Sequence, residues 1–167
     1  AKQRRLIHLV TDQIYEKEKN NRMMTGILSQ IVEFRNGESG LHVLHINILT
    51  QLLLEKLMRK SENYDLSWSQ QHMIATASAL HDIGKIGIDE KILNKPGKLT
   101  KEEFEAMKQH TIIGARMLDR LKMYHDEEMM KYAYEICRWH HERYDGKGYP
   151  DGLKGEEIPI SAQVVSL

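Results

Sequence analysis

Histidine dominates the residues of this chain that could do chemistry. Nine occur: His8, His42, His45, His72, His81, His110, His125, His140 and His141. His81 is followed by Asp82 inside the apolar run "TASALHDIGKIGI", and His140 and His141 are adjacent in "RWHHERYDGKGYP". A His and an Asp in an apolar run are headed for burial, and buried polar groups need partners. A metal satisfies both, since an imidazole ligates one ion and the two oxygens of a carboxylate can bridge two. Two ions about 3.5–4 Å apart generate hydroxide and clamp a phosphoryl transition state. Lys85 stands three residues after Asp82 and shares its side if the helical turn persists, where it would neutralise a phosphate. The plainer reading is a solvated lysine at a helix C-terminus. Adjacent side chains on a helix point about 100° apart. His140 and His141 therefore reach two different ions, or one centre from an unwound turn. The gaps between His42, His81, His110 and His140 match no zinc-finger spacing. They fit ligands drawn from several helices onto one interior point.

The elements that must position these groups read as helices. Residues 4–34 form one long helix on which Leu6, Val10, Gln13, Lys17, Asn20, Met24, Ile27, Ile31 and Phe34 keep heptad spacing, with a polar middle. It either lies on the domain or pairs with a partner chain and leads in from an upstream domain. A second helix is expected over 41–59, with Leu44, Ile48, Leu52 and Leu53 toward the core. Ser67 with Gln70 starts a third as a capping box, and Gly84 is placed to end it. A helical turn is expected at 89–93. Thr100 with Glu103 caps a helix reaching His110, another covers 111–123, and Asp126 caps a last one carrying Met130, Ala133, Ile136 and Cys137 to His140. Residues 143–160 read as loop. The spacing predicts an all-α bundle of about six to seven helices.

Composition narrows the function classes. Lys+Arg and Asp+Glu are both 24, so no bulk positive charge favours a nucleic-acid polymer. One cysteine, Cys137, allows no internal disulfide and suits a reducing, cytoplasmic setting. No apolar run is long enough to span a bilayer. The first residues start inside a helix and "IPISAQVVSL" stops on an apolar stretch, so the chain is expected to be a piece of a longer one.

The stretches "HDIGKIGIDEKILNKPGKLTKEEFEAMKQHTIIGARML" and "HHERYDGKGYPDGLKGEEIPISAQVVSL" resemble the HD-GYP family of the HD phosphohydrolase superfamily. Gly148-Tyr149-Pro150 is the triplet that names it. The resemblance implies an HD-type helical bundle with a C-terminal GYP loop, over 35–167, behind a signalling or linker helix at 1–34. It also implies a cytoplasmic hydrolase of cyclic di-GMP, giving a linear dinucleotide or GMP through a metal-bridging hydroxide. Two or three divalent ions are implied, iron or manganese first, with zinc, nickel or cobalt as alternatives. Carried over by position, the metal ligands are Glu38, His42, His81, Asp82, His110, His140 and His141, with Asp82 bridging. Glu38 lies one helical turn before His42 and otherwise reads as an N-terminal helix charge. Lys85, with Arg143, Asp145, Gly148 and Tyr149, is expected to meet the substrate. Tyr149 would stack on a guanine or anchor the loop. A receiver-type upstream domain and a homodimer through the N-terminal helix are the partners implied. Other HD-type phosphate-ester hydrolases, or an idle binding module, are the rival readings. Departures are His45, in the place of a family arginine and read as a core histidine or a pocket substitute, and Asp89, in the place of a proline. A further family aspartate would fall beyond Leu167.

Overall fold

The computed structural model describes residues 2–37, 41–61, 63–121 and 127–166. Among these it is all-helical, with no strand. Helix α1 (Lys2–Phe34) precedes α2 (Leu41–Lys60) and α3 (Trp68–Ala77). Two short 3₁₀ segments follow, Ser78–Leu80 and Ile83–Gly87, with His81 and Asp82 between them. Then come α4 (Glu90–Leu93), α5 (Lys101–Asp119), α6 (Glu128–Trp139), a 3₁₀ turn at Gly155–Glu157 and α7 (Ile160–Gln163).

Local chemistry sets several of these starts. The Ser67 hydroxyl accepts from the Gln70 amide while the Gln70 side chain accepts from Ser67 N at 2.9 Å. Thr100 and Glu103 make the same reciprocal pair ahead of α5. Each such cap is worth about 1 kcal/mol. Asp89 accepts from Lys91 N at 2.8 Å and caps α4, so the family's proline position is here a helix cap. Leu54 of α2, Ile74 and Ala77 of α3, Leu118 of α5, and Tyr132, Ala133, Ile136 and Cys137 of α6 close one core, with Leu80 from the 3₁₀ segment inside it. His81 and Asp82 follow Leu80 directly, so the core fixes where they start.

The structure corrects four expectations. Residues 101–119 are one helix, so His110 sits within α5 and no second helix begins at 111. Helix α3 stops at Ala77, before the His81–Asp82 pair. Gly84 is not its terminator: a Cβ there would lie 1.8 Å from His110 O and 2.5 Å from Gly114 N. Glycine is needed for the 3₁₀ segment to lie on the α5 backbone. On α2, Leu44, Ile48 and Leu52 are exposed, and Leu53 is only partly buried; Val43, Thr50 and Leu54 face inward. The inward face is the smaller one because Asn47 donates to Ala75 O at 2.6 Å, drawing α2 close to α3. The 143–160 tail contains the 3₁₀ turn Gly155–Glu157, and α7 begins at its last residue. The Asp126 cap and the end of the 111–123 segment fall outside the described residues.

Helix α1 uses Thr25, Ser29, Val32 and Glu33 to pack on the bundle. Residues 3–17 are wholly exposed. Its heptad stripe points outward, with Leu6, Val10, Met24, Ile27, Ile31 and Phe34 all exposed. No helix among the described residues is long and apolar enough to cross a membrane.

Candidate metal centre

Three segments deliver the chemistry-bearing residues to one point. The turn after Leu80 brings His81 and Asp82, the middle of α5 brings His110, and the end of α6 brings His140 and His141. One ligand atom each from Asp82, His110, His140 and His141 lies within 4.8 Å of the others. Asp82 spreads its two oxygens over different neighbours. Oδ2 is 3.1 Å from His81 Nε2 and 2.8 Å from Lys85 Nζ. Oδ1 is 3.3 Å from His110 Nε2 and 3.8 Å from His140 Nε2.

The far side of each ring decides what the near side offers. His81 Nδ1 is 2.9 Å from Ser78 O, His110 Nδ1 is 2.7 Å from Met107 O, and His140 Nδ1 is 2.9 Å from Ile136 O. A carbonyl only accepts, so each Nδ1 carries the hydrogen. At His81 the nearby carboxylate favours a proton on Nε2 as well, donated to Asp82 Oδ2; in the neutral rings of His110 and His140, Nε2 presents a lone pair toward Asp82. These two lone pairs face each other at 3.4 Å. Buried Asp82 Oδ1 has no hydrogen-bond partner. Lone pairs and an orphaned carboxylate oxygen converging without a donor are what a divalent cation satisfies.

The electrostatics agree. Burial pushes His110 and His140 down, His140 strongly, with the other histidines adding to the effect. Both rings are therefore neutral and free to ligate. His141 is lowered to about 4, by burial first and then by His110. Burial opposes charge on Asp82, but His81 and Lys85 overrule it and hold the carboxyl well below its usual range. Burial would lower His81 too, and Asp82 reverses that.

A family model described as HD domain matches residues 17–167. The chain belongs to the HD domain family. Its Gly148-Tyr149-Pro150 triplet and its relatives place it in the HD-GYP branch. It is 45% identical over 141 residues to a protein of Thermotoga maritima named cyclic di-GMP phosphodiesterase, covering 84% of this chain and 35% of that one. It is 39% identical over 140 residues to the 3'3'-cGAMP-specific phosphodiesterase 2 of Vibrio cholerae, covering 84% and 25%. It is 36% identical over 152 residues to the cyclic di-GMP phosphodiesterase response regulator RpfG of Xanthomonas campestris, covering 91% and 37%. The chain thus spans about a third of the length of these relatives, or less.

Around this HD centre the remaining sequence candidates scatter. His42 is exposed on α2, its ring 5.9 Å from that of His81, at the rim of the cluster. Glu38 lies outside the described residues. His45 is exposed rather than packed in the core, because it falls on the outward face of α2. Lys85 is brought to Asp82 by the 3₁₀ segment, whose three-residue turn stacks positions three apart. Arg143 and Asp145 pair with each other at 3.0 Å and line a separate hollow of about 530 Å³ with Tyr144, Ile158, Gln163 and Ser166. Gly148 is packed so tightly that a Cβ would lie 2.4 Å from Arg143 N and Glu142 Cα. Of the histidines outside every motif, His8 is exposed, His72 stacks on Trp68 and meets Arg22, and His125 lies outside the described residues.

Several contacts tie down the loop after α6. Tyr149 stacks on His141, ring centroids 4.7 Å apart, and its amide donates to His141 O. Its hydroxyl is pushed up to about 12 by burial and then by Asp82. Further side chains with no role in the sequence reading organise the site. The buried Glu142 accepts at Oε1 from Asp151 N at 2.7 Å and Gly152 N at 3.0 Å, tying the loop's far end to its start. Arg138 and Trp139 grip the Asp151 side chain from α6. Cys137 Sγ donates to Leu80 O at 2.9 Å, the carbonyl just before His81, and burial pushes its thiol well up. Glu142 directly follows the histidine pair, and that adjacency was its only sequence signal.

Proposed function

We propose that this chain is the catalytic part of a metal-dependent phosphodiesterase that hydrolyses cyclic di-GMP. One observation carries the reading: the Nε2 lone pairs of His110 and His140 converge on Asp82, whose Oδ1 is orphaned, in a chain similar to proteins named phosphodiesterases. His81, Asp82, His110, His140 and His141 would hold the ions, with His42 on α2, and Glu38 as the resemblance implies, joining for a third. Two or three iron or manganese ions are favoured, though imidazole and carboxylate also accept zinc, nickel and cobalt. When bound, the ions would supply hydroxide at neutral pH and positive charge opposite the phosphate.

The chain's own residues supply the rest. Lys85 sets a fixed positive charge beside Asp82, placed for a non-bridging phosphate oxygen. Tyr149 holds His141 in orientation and presents the loop toward the nucleotide. Phe104 meets the Tyr149 ring edge-on at 6.2 Å, and Lys108 lies over that ring at 5.5 Å, so this side of the site is aromatic and cationic. That composition suits a base and its phosphate. Arg143, Asp145 and Gly148 are proposed to shape the substrate's approach.

A receiver-type domain upstream is supported by the Xanthomonas relative being named a response regulator. A homodimer through the open heptad stripe of α1 is supported by its exposure and by the exposed Leu41, Leu44, Ile48, Leu49 and Leu52 of α2. The cytoplasm is the compartment that fits the single reduced thiol.

The test loads the full chain with Mn²⁺ or Fe²⁺ and offers cyclic di-GMP, 3'3'-cGAMP and a simple phosphate diester. Preferred cleavage of cyclic di-GMP supports the reading. Preference for 3'3'-cGAMP selects the reading that the Vibrio relative favours. Binding without cleavage makes the chain an idle module. His81→Ala and Asp82→Ala should each remove metal and activity while the helical circular dichroism survives; full metal content in both would refute the site.

A further inference from the structure

The 3₁₀ segment Ile83–Gly87 is five residues long and carries Lys85. So short a segment has little cohesion of its own, and it leaves Ile86 O without a backbone partner inside the turn. Its internal bonds include Lys85 N to Asp82 O at 2.9 Å and Ile88 N to Lys85 O at 3.1 Å. The missing partner comes from a distant residue. Arg35, in the turn after α1, donates from Nη1 to Ile86 O at 2.6 Å and to Lys85 O at 3.4 Å, and from Nη2 to Ile88 O at 3.5 Å. The planar fork of a guanidinium spreads its donors over separate nitrogens and spans carbonyls that a compact ammonium, with all its donors on one nitrogen, does not. Arg35 is itself fixed from the other side, where Asn94 Nδ2 donates to its carbonyl at 2.8 Å. Its amide donates to Val32 O, and Val32 and Glu33 in that last turn of α1 are buried. The end of α1 and the turn bearing Lys85 are thereby one mechanical unit.

We infer that Arg35 is a positioning residue for the reaction: its guanidinium holds the Lys85 turn in place and links the long N-terminal helix to the site. Arg35 makes no contact with the His–Asp cluster, so it acts through Lys85 and not through the metal ligands. This rests on the phosphodiesterase reading for its rate readout, and on backbone exchange for a readout that does not.

The experiment uses the full chain loaded with Mn²⁺. Arg35→Ala should lower kcat about 10- to 100-fold, as expected for a misplaced catalytic group, with metal content unchanged and KM within about twofold. Arg35→Lys, with all its donors on one nitrogen, should recover only part. In a Lys85→Ala background, Arg35→Ala should cost no more than about twofold further, because the group it positions is already gone. Multiplicative losses in the double variant would overturn the inference. Hydrogen exchange at the Lys85 and Ile88 amides should accelerate at least about tenfold in Arg35→Ala, with α5 and α6 unchanged. Unaltered exchange there would overturn it even if the chain cleaved no cyclic dinucleotide. Accelerated exchange in a chain that cleaves none would uphold the clamp and refute only the phosphodiesterase reading.

Discussion

Replacing Gly84 by alanine should damage this protein more than any other single-methyl change at a glycine among the described residues. The added Cβ would sit 1.8 Å from His110 O, and ordinary contact begins at 3.4 Å, so the 3₁₀ segment must retreat from α5 by about 1.6 Å. The obstacle is helix backbone, which cannot swing aside. Overpacking of this kind costs about 3 kcal/mol, equivalent to a fall in Tm of roughly 6–12 °C for a domain of this size. The retreat also carries Asp82 away from His110, now 3.3 Å apart. A displacement of about 1 Å at such a site costs about 100-fold in rate. Calorimetry, metal analysis after dialysis and the cyclic di-GMP assay read the three effects. Gly26→Ala is the control, since nothing lies within 4 Å of its Cβ on α1, and it should stabilise by about 0.5–1 kcal/mol. A Gly84→Ala protein with wild-type Tm and full metal content would refute the close-approach argument.

Glu142→Ala strips the acceptor from two loop amides and should lower Tm by about 4–8 °C, at about 2 kcal/mol, while opening residues 143–152 to protease; a loop as resistant as wild type would contradict this. The Asp151 carboxyl is held below its ordinary value by Arg138 first, with burial opposing. Such a depressed carboxyl stabilises fully above its unfolded pKa, and that share is lost as pH falls through the folded one. Tryptophan fluorescence of a Trp68→Phe protein should therefore show Trp139 released as pH falls below the ordinary carboxylate range, and Arg138→Gln should erase that phase; its persistence would remove Asp151 as the cause. Ile27→Glu with Ile31→Glu, both on the open stripe of α1, should turn a dimer into a monomer by light scattering without loss of helix. A wild-type protein that is already monomeric refutes the pairing.

Much of the site was legible because its signals are local. The His81–Asp82 pair stands in an apolar run and the His140–His141 pair before a glycine-rich loop, and each announces itself within a dozen residues. Both capping boxes were legible for the same reason. The continuity of α5 through "KQHTIIGARM" was not. Three β-branched residues and a glycine argue locally against helix, and the packing of Gly114 on Gly84 overrides them. The inward face of α2 was misread because periodicity finds the most apolar stripe and not the neighbour that covers it. Glu142 and Arg35 were invisible for a deeper reason: their partners are backbone groups nine to 53 residues away, and backbone groups leave no mark in a sequence.

Cys137 is the sole cysteine of the chain, fully buried, and donates its thiol proton to Leu80 O. Only a thiolate reacts with alkylating or disulfide reagents, so the folded protein is protected twice, by lack of access and by a suppressed charge. Labelling must then wait for α6 to part from the turn that leads into His81. The rate of modification becomes a clock for that separation, timed by a single native atom. A protein of this design reports the opening of its own site without any introduced probe.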